Sequence, residues 1–106
     1  MRRSKYGNIK TVVDGITFDS KKEAEYYGVL KLRQAAGEIA SFELQPKFQL
    51  LEKSPDMKAV IYKADFRVVY PDGKSEIVDV KGYMTDVYKI KRAWLWQRHG
   101  IRILEI

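Results

Sequence analysis

The first pattern of apolar and polar positions along the chain is a short alternation on both sides of an Asp-Gly pair, in the sequence IKTVV-DG-ITF. Aspartate followed by glycine is typical of a two-residue turn, so residues 9–18 are predicted to form a β-hairpin. Ser20-Lys-Lys-Glu23 is a capping-box pattern and predicts the start of a helix. This helix should run to about Ala36, because Gly37 suits the left-handed position after a helix end.

Three extended segments follow this helix. Residues 41–51, SFELQPKFQLL, alternate in polarity but contain Pro46, which favours an edge strand or a bulge because proline has no N–H to donate. Residues 59–70, AVIYKADFRVVY, are the longest strand-like run. Residues 75–81, SEIVDVK, are the expected hairpin partner of that run.

A second helix, capped by Thr85 or Asp86, is predicted to end at Gly100. The closing segment, IRILEI, is expected to be a buried strand, and a strand that follows a helical crossover can join the same sheet in parallel. Residues 1–8 are expected to be a loose basic arm. The remaining residues, 9–106, are predicted to form a single domain of α+β or mixed α/β class, in which two helices cover a small mixed sheet.

The turn between the two central strands decides which side chains meet. Pro71-Asp72-Gly73 suits a three-residue loop, with proline first in a type I turn and glycine in the left-handed position. A slip of one residue would turn a different set of side chains to each face. Counting back from the three-residue loop gives three cross-strand pairs: Tyr70 with Lys74, Asp65 with Asp79, and Lys63 with Lys81.

Two aspartates directly opposite each other need compensation, because like charges paired across strands are unfavourable. One interpretation is a four-charge surface patch, in which Lys63 and Lys81 offset the acids. The other is a divalent cation, because Mg²⁺ takes hard oxygen ligands and often only one or two carboxylates. Such a site suits phosphodiester hydrolysis: the metal neutralises phosphate charge and activates water, and Lys81 orients that water or stabilises developing negative charge. Mn²⁺ could substitute for Mg²⁺.

The same residues resemble a known superfamily. Asp65, followed fourteen residues later by Asp79-Val80-Lys81, is similar to the D…DxK pattern of the PD-(D/E)XK nucleases, whose core is helix, three strands, helix, strand. Over nearly the whole chain, the blocks FDSKKEAEYY, GEIASFELQPKFQL, YKADF and VDVKG resemble a family of short phage and prophage proteins of unknown function, thought to be related to Holliday-junction resolvases. The resemblance implies a restriction-endonuclease-like fold. Ala64 replaces the proline of the superfamily name, and Val78 replaces an acid found in some relatives.

The resemblance also implies roles for individual residues. Asp65 would be the central metal ligand, with Asp79 and Lys81 as the DxK pair. A glutamate of the first helix would complete the metal site. The helical wheel alone does not distinguish Glu23 from Glu25 as this acid, because the capping box already explains a glutamate at position 23. The matching block FDSKKEAEYY favours Glu23.

Two further residues are candidates for the site. Gln45 lies in a matching block and either reaches the site from the next strand or is an edge-strand polar residue. Lys91 lies between the two faces of the second helix, and in related nucleases a residue of this helix often points into the site.

Composition adds a candidate partner. The 106 residues carry a net charge of +6, which indicates a polyanionic partner, nucleic acid first, or only a solvated basic domain. The chain has no cysteine, which excludes disulfides and cysteine zinc sites and fits a reducing compartment. No apolar run approaches membrane-spanning length, and the N-terminus lacks a secretory signal. We therefore expect no membrane partner and a cytoplasmic location, in the bacterial host if the protein is phage-encoded.

Basic residues in three places are candidate DNA contacts. In the second helix, an apolar side (Val87, Ile90, Ala93, Trp94, Gln97) is predicted to face the core. The opposite side (Tyr88, Lys89, Arg92, Trp96, His99) could hold phosphates and stack on bases, or be solvated surface or a dimer contact through Trp96. The full set of predicted DNA contacts is Arg2, Arg3, Lys5, Lys63, Lys89, Lys91, Arg92 and Trp96.

These observations predict a metal-dependent, structure-selective DNA endonuclease of phage origin that acts on branched or Holliday-junction-like DNA in recombination. By analogy with the superfamily, the products would carry 5′-phosphate and 3′-hydroxyl ends. A homodimer is expected, because a junction must be cut on two strands. No organic cofactor is expected. The alternatives are a non-catalytic nucleic-acid-binding module on a nuclease-like fold, and an assembly protein that uses its basic face on a protein partner.

Overall fold

The computed structural model describes residues 9–80 and 85–106. The class is α+β, as predicted, with two helices and small mixed sheets in the described ranges. Neither described helix is long and apolar enough to cross a membrane. Four predicted functional residues lie outside these ranges: Arg2, Arg3, Lys5 and Lys81.

The first two strands form the predicted hairpin. β1 (Thr11–Val13) pairs antiparallel with β2 (Ile16–Phe18). The turn residues Asp14 and Gly15 have φ of 53° and 75°, the left-handed conformation that a type I′ turn needs at both positions. The Asp-Gly signal therefore predicted this hairpin correctly.

The first helix also begins and ends where predicted. α1 (Lys21–Ala35) begins after Ser20, whose Oγ accepts the N–H of Glu23 at 3.0 Å. Its C-cap is Ala36, and the following Gly37 has a φ of 78° and donates its N–H to the carbonyl oxygen of Gln34.

The next four strands form one long hairpin with a kink. The predicted segments 41–51 and 59–70 are each divided into two strands. For residues 59–70 this contradicts the expectation of one long strand, whereas residues 41–51 break at Pro46, where an edge strand or a bulge was predicted. The same antiparallel register runs across the break, with Leu44 opposite Phe66 and Lys47 opposite Lys63, and it shifts only between Gln49 and Leu51. The four strands are β3 (Ser41–Leu44), β4 (Lys47–Leu51), β5 (Val60–Lys63) and β6 (Phe66–Val69).

The kink lies where Gln45 and Pro46 face Ala64 and Asp65. Pro46 has no N–H for the ladder, and Gln45 adopts a left-handed φ of 52°. Two hydrogen bonds still join the strands there. The N–H of Gln45 donates to the carbonyl oxygen of Asp65 at 2.9 Å, and the N–H of Ala64 donates to that of Pro46 at 3.0 Å. The edge position predicted from Pro46 is confirmed, because β3 lies at the edge of the four-stranded sheet, and both paired strands are interrupted at this point.

The central hairpin has the predicted three-residue loop. β7 (Ser75–Asp79) pairs antiparallel with β6. The N–H of Tyr70 donates to the carbonyl oxygen of Lys74 at 2.8 Å, and Gly73 has a φ of 89°. The register predicted from the proline-led turn is confirmed.

The second helix and the last strand complete the main sheet. α2 (Asp86–His99) is capped by Thr85, whose Oγ1 accepts the N–H of Tyr88 at 3.0 Å. β8 (Ile103–Glu105) pairs parallel with β7, as predicted for a helical crossover. The strand order is β3-β6-β7-β8, so β8 is an edge strand. The prediction of a buried last strand was wrong, because Leu104 is 41% exposed.

Two apolar clusters cover the two faces of the sheet. Val78 belongs to the first cluster and Ile77 to the second, so β7 is buried on both faces, which explains its nearly continuous apolar sequence. The first cluster packs α1 and consists of Phe18, Ala24, Tyr27, Leu30, Ile39, Phe66, Val68, Val78 and Val80. The second packs α2 and consists of Phe48, Leu50, Tyr62, Ala64, Ile77, Tyr88 and Leu95.

The buried face of α2 differs from the predicted one. Tyr88 and Leu95 are its buried residues. The predicted core stripe points outward, with Val87 62%, Ile90 54% and Trp94 38% exposed. The prediction that the side carrying Tyr88 faces solvent was therefore wrong. Tyr88 is buried because α2 packs that side against β4 and β5.

Candidate active site

Asp65 and Asp79 lie side by side where β6 meets β7. The N–H of Asp65 donates to Oδ1 of Asp79 at 2.9 Å, and the N–H of Val80 donates to Oδ2 of Asp65 at 2.7 Å. Asp79 is fully buried and Asp65 is half-buried. Each carboxylate is therefore oriented by a backbone donor on the opposite strand, and the two predicted acids are brought together.

The kink of the long hairpin lies directly beside these acids. Before Asp65, the chain runs as β5, which pairs with β4 and not with β7 in the described part of the chain. Gln45 lies opposite Asp65 and donates its backbone N–H to the Asp65 carbonyl oxygen, while its side chain is exposed. The described residue opposite Lys63 is Lys47, whereas the predicted pair of Lys63 with Lys81 lies beyond the described residues.

Asp79 faces α2 and a further set of polar side chains. Burial raises the pKa of the Tyr88 phenol, and the carboxylates of Asp79 and Glu105 raise it further. Tyr88 therefore stays protonated at physiological pH. Glu105 lies next to Asp79 in the parallel register of β8 and forms an ion pair with Arg92. Asp79 thus sits in a buried polar environment on the α2 side of the sheet.

The helix acid is Glu23 by burial. Glu23 is 5% exposed, whereas Glu25 is exposed, so burial separates the two acids that the helical wheel alone did not distinguish. Glu23 lies on the α1 side of the sheet, one turn before Tyr27 of the first cluster. Within residues 9–80 and 85–106, no group of three or more acidic or histidine side chains is placed to hold a metal ion.

The donor set at Asp65 and Asp79 fits a hard divalent cation. Mg²⁺ is usually bound through one or two carboxylates and completes its shell with water and substrate phosphate. Two carboxylates from directly paired positions supply that set, and their backbone hydrogen bonds hold them in place. Neither a thiolate nor an imidazole is among these donors, so a softer metal is not favoured.

The predicted DNA contacts on α2 are only partly available. Arg92 is half-buried and paired with Glu105, and Lys91 is half-buried with its Nζ 3.4 Å from the carbonyl oxygen of Ile61. Lys89 is exposed, and Trp96 is 51% exposed. These last two line a shallow groove of about 520 Å³ together with Arg92, Ala93, Ile101, Arg102 and Ile103.

Three residues near the site were missed from the sequence. Nothing in the sequence selects Lys47, which the pairing of β4 with β5 places opposite Lys63. Glu105 lies beside Asp79 only because β8 joins in parallel. Arg102, in the groove on α2, lies 5.7 Å over the ring of Trp96. Pro46 was the sequence signal that could have located the kink. The kink in turn identifies Lys47, because β4 begins at that residue.

Comparison with known protein families matches residues 3–102 to a family described as "Protein of unknown function (DUF1064)". Comparison with curated proteins and comparison with solved structures each found no match. The family match covers nearly all of the chain, including both aspartates and the kink. The chain therefore belongs to the DUF1064 family.

Proposed function

We propose that this protein is a metal-dependent DNA endonuclease of the PD-(D/E)XK type. The observation that carries the proposal is the pairing of Asp65 with Asp79 at the end of two strands, each carboxylate oriented by a backbone N–H. Two adjacent acids are costly in a fold unless something offsets their repulsion. A divalent cation with a phosphodiester is the partner that this donor set suits best.

In this proposal, the acids, two backbone N–H groups and Lys81 have separate roles in hydrolysis. Asp65 and Asp79 hold the cation, preferably Mg²⁺ with Mn²⁺ as a substitute, and it supplies charge neutralisation and activation of water for in-line attack. The backbone N–H groups of Asp65 and Val80 fix the two carboxylates before substrate arrives, which avoids reorganisation during the reaction. Lys81 is proposed to stabilise developing negative charge.

Three residues around the acids have supporting roles in this proposal. Tyr88 keeps its proton on the α2 side of Asp79 and helps to exclude water from that side. Gln45, opposite Asp65 and exposed, can contact the substrate. Glu23 is retained as the third acid because it is the buried one of the two candidates.

The substrate is proposed to be DNA in the bacterial cytoplasm, and branched DNA in particular. The net charge of +6 favours a polyanion, and Lys89 and Trp96 give α2 an exposed cation and an exposed ring for it. Cutting both strands of a junction would require two copies of the chain, so a symmetric homodimer belongs to the proposal.

The rival proposal is a DNA-binding module without catalysis. It is favoured by one observation: residues 9–80 and 85–106 contain no group of three or more acidic or histidine side chains placed to hold a metal ion. On this view, the acid pair only terminates two strands and contributes hydrogen bonds to the fold. The two proposals agree on DNA binding and differ on cleavage.

The experiment is a cleavage assay with end-labelled four-way junction and linear duplex in Mg²⁺, in Mn²⁺ and in EDTA. Wild type should cut at least one substrate only with the metal. Asp79→Asn should lose about 100-fold or more of the rate, because metal-ion stabilisation amounts to several kcal/mol. Asp72→Asn is the matched control, because it removes the same charge from the exposed turn of the same hairpin. Binding without cutting by wild type in either metal would establish the rival.

A further inference from the structure

A pair of lysines faces each other across the kinked hairpin. Lys47 of β4 and Lys63 of β5 are directly opposite in the register, and both are exposed. Side chains at such positions start only about 5 Å apart, so two ammonium groups there repel each other and destabilise the hairpin. Neither lysine forms an ion pair with any residue of the described ranges. Within residues 9–80 and 85–106, the repulsion between these two lysines is therefore not offset by an ion pair.

This pair lies one step from the acid pair. Lys63 precedes Asp65 by two residues, so their Cα atoms are at most about 7 Å apart. Burial alternates through the bend, with Pro46 and Ala64 buried and Gln45, Lys47 and Lys63 exposed. The lysines and Gln45 thus share the exposed side of the long hairpin.

We propose that Lys47 and Lys63 form a phosphate clamp that seats one DNA strand beside Asp65 and Asp79. A DNA strand carries one phosphate for about every 3.4 Å of helix axis, so the clamp would hold a phosphate one or two nucleotides from the one at the acids. The ammonium of lysine binds phosphate as a point charge and needs no fixed geometry, which suits two flexible side chains. The clamp rests on the proposed function, because the acid pair defines which part of the strand is cut.

DNA fits this surface better than an acidic protein does. The two lysines lie on a two-stranded ribbon, close in sequence to carboxylates that would repel an acidic peptide. A phosphodiester strand can bridge both features, since its phosphates go to the lysines and to a cation at the acids. The adjacent Gln45 side chain offers an uncharged hydrogen-bonding group for the sugar-phosphate backbone.

The test is DNA binding measured over a range of salt without divalent cation, so that no cutting occurs. The probes are fluorescent four-way junction and linear duplex, with fluorescence anisotropy as the readout. Each phosphate contact contributes about 0.9 to the slope of log affinity against log salt, so Lys47→Gln/Lys63→Gln should lower the slope by about 1.8. Its affinity at about 0.1 M salt should fall by roughly tenfold or more.

The matched control is Lys10→Gln/Lys74→Gln. Both double variants lower the net charge from +6 to +4, but Lys10 and Lys74 are exposed residues outside the kinked hairpin. The control should keep the wild-type slope. The clamp variant should unfold in urea at a midpoint no lower than that of wild type, because a repulsive pair has been removed.

The outcomes separate the clamp from the proposed function. If wild type cuts DNA and the clamp variant binds like its control, the clamp is wrong and the endonuclease stands. If wild type never cuts but the clamp variant alone loses slope and affinity, the endonuclease is wrong and the clamp stands as part of a binding module. If wild type does not bind DNA measurably at low salt, the clamp is wrong, and an acidic protein becomes the favoured partner of the two lysines.

Discussion

Metal binding at the acid pair should stabilise the fold, and the size of the effect follows from linkage. An ion that binds only the folded chain adds RT ln(1 + [L]/Kd) to the free energy of unfolding, which near saturation is about 1.4 kcal/mol per tenfold increase in ion concentration. A 106-residue domain has an unfolding entropy of about 0.22 kcal/mol/K, so this corresponds to a rise of about 6 °C in Tm per decade. The slope per decade is independent of Kd and reports one bound ion.

The perturbation is Asp79→Asn, compared with Asp72→Asn. The asparagine oxygen can still accept the N–H of Asp65, so the fully buried site keeps its hydrogen bond while it loses a charge. Asp72 lies in the exposed turn of the same hairpin, and each change raises the net charge from +6 to +7.

The assay is thermal unfolding at increasing Mg²⁺ or Mn²⁺, with NaCl added to hold the ionic strength constant. Wild type and Asp72→Asn should show the slope of about 6 °C per decade, and Asp79→Asn should show none. A flat wild-type curve, or equal slopes in all three proteins, would refute the assignment of the metal to this pair.

Three further predictions concern the scaffold that holds the site. Leu30→Ala should lower the free energy of unfolding in urea by about 2–5 kcal/mol, because Leu30 is fully buried in the α1 cluster; a loss below 1 kcal/mol would contradict that packing. Gly73→Ala should cost about 1 kcal/mol, since its φ is 89°, whereas Gly28→Ala inside α1 should gain about 0.5–1 kcal/mol; effects of the same sign would disprove the turn geometry. The hydrogen bond from Lys31 is the main cause that holds the pKa of Asp14 below its usual value. This stabilisation is present above the unfolded pKa and is lost as pH falls through the folded one, so the urea midpoints of wild type and Asp14→Asn should converge below about pH 4.

The site could be predicted to the extent that local turn chemistry controls register. The loop led by Pro71 places Gly73 where only a left-handed conformation closes the turn, and that alone pairs Asp65 with Asp79. The register of β6 and β7 is therefore determined by a few neighbouring residues of the turn. The caps of both helices are local in the same way, since Ser20 bonds an N–H three residues away.

The faces of α2 could not be predicted, because two apolar stripes compete on this helix. Val87, Ile90 and Trp94 recur with helical spacing and look like a core stripe, yet they are exposed. The buried residues Tyr88 and Leu95 are selected by contacts with the β4–β5 hairpin and with the polar environment of Asp79. Those contacts join parts of the chain far apart in sequence, and periodicity within one helix does not contain them.

The kink was missed for a related reason. Apolar residues flank Asp65 on both sides within residues 59–70, and the low β-propensity of Lys63-Ala64-Asp65 is too short a signal to predict a bend by itself. The cause lies on the partner strand, at Gln45 and Pro46, and acts through cross-strand pairing. The position of Lys47 opposite Lys63 follows from this pairing and could not be predicted without it.

The central claim is that Asp65 and Asp79 hold one hard divalent cation between them. The most direct measurement is the anomalous scattering of Mn²⁺ in crystals of this protein grown or soaked with that ion. The account predicts one strong peak with an oxygen of each aspartate about 2.0–2.3 Å away. A well-ordered acid pair with no peak between its carboxylates, at an Mn²⁺ concentration that supports cleavage or stabilisation, would contradict it.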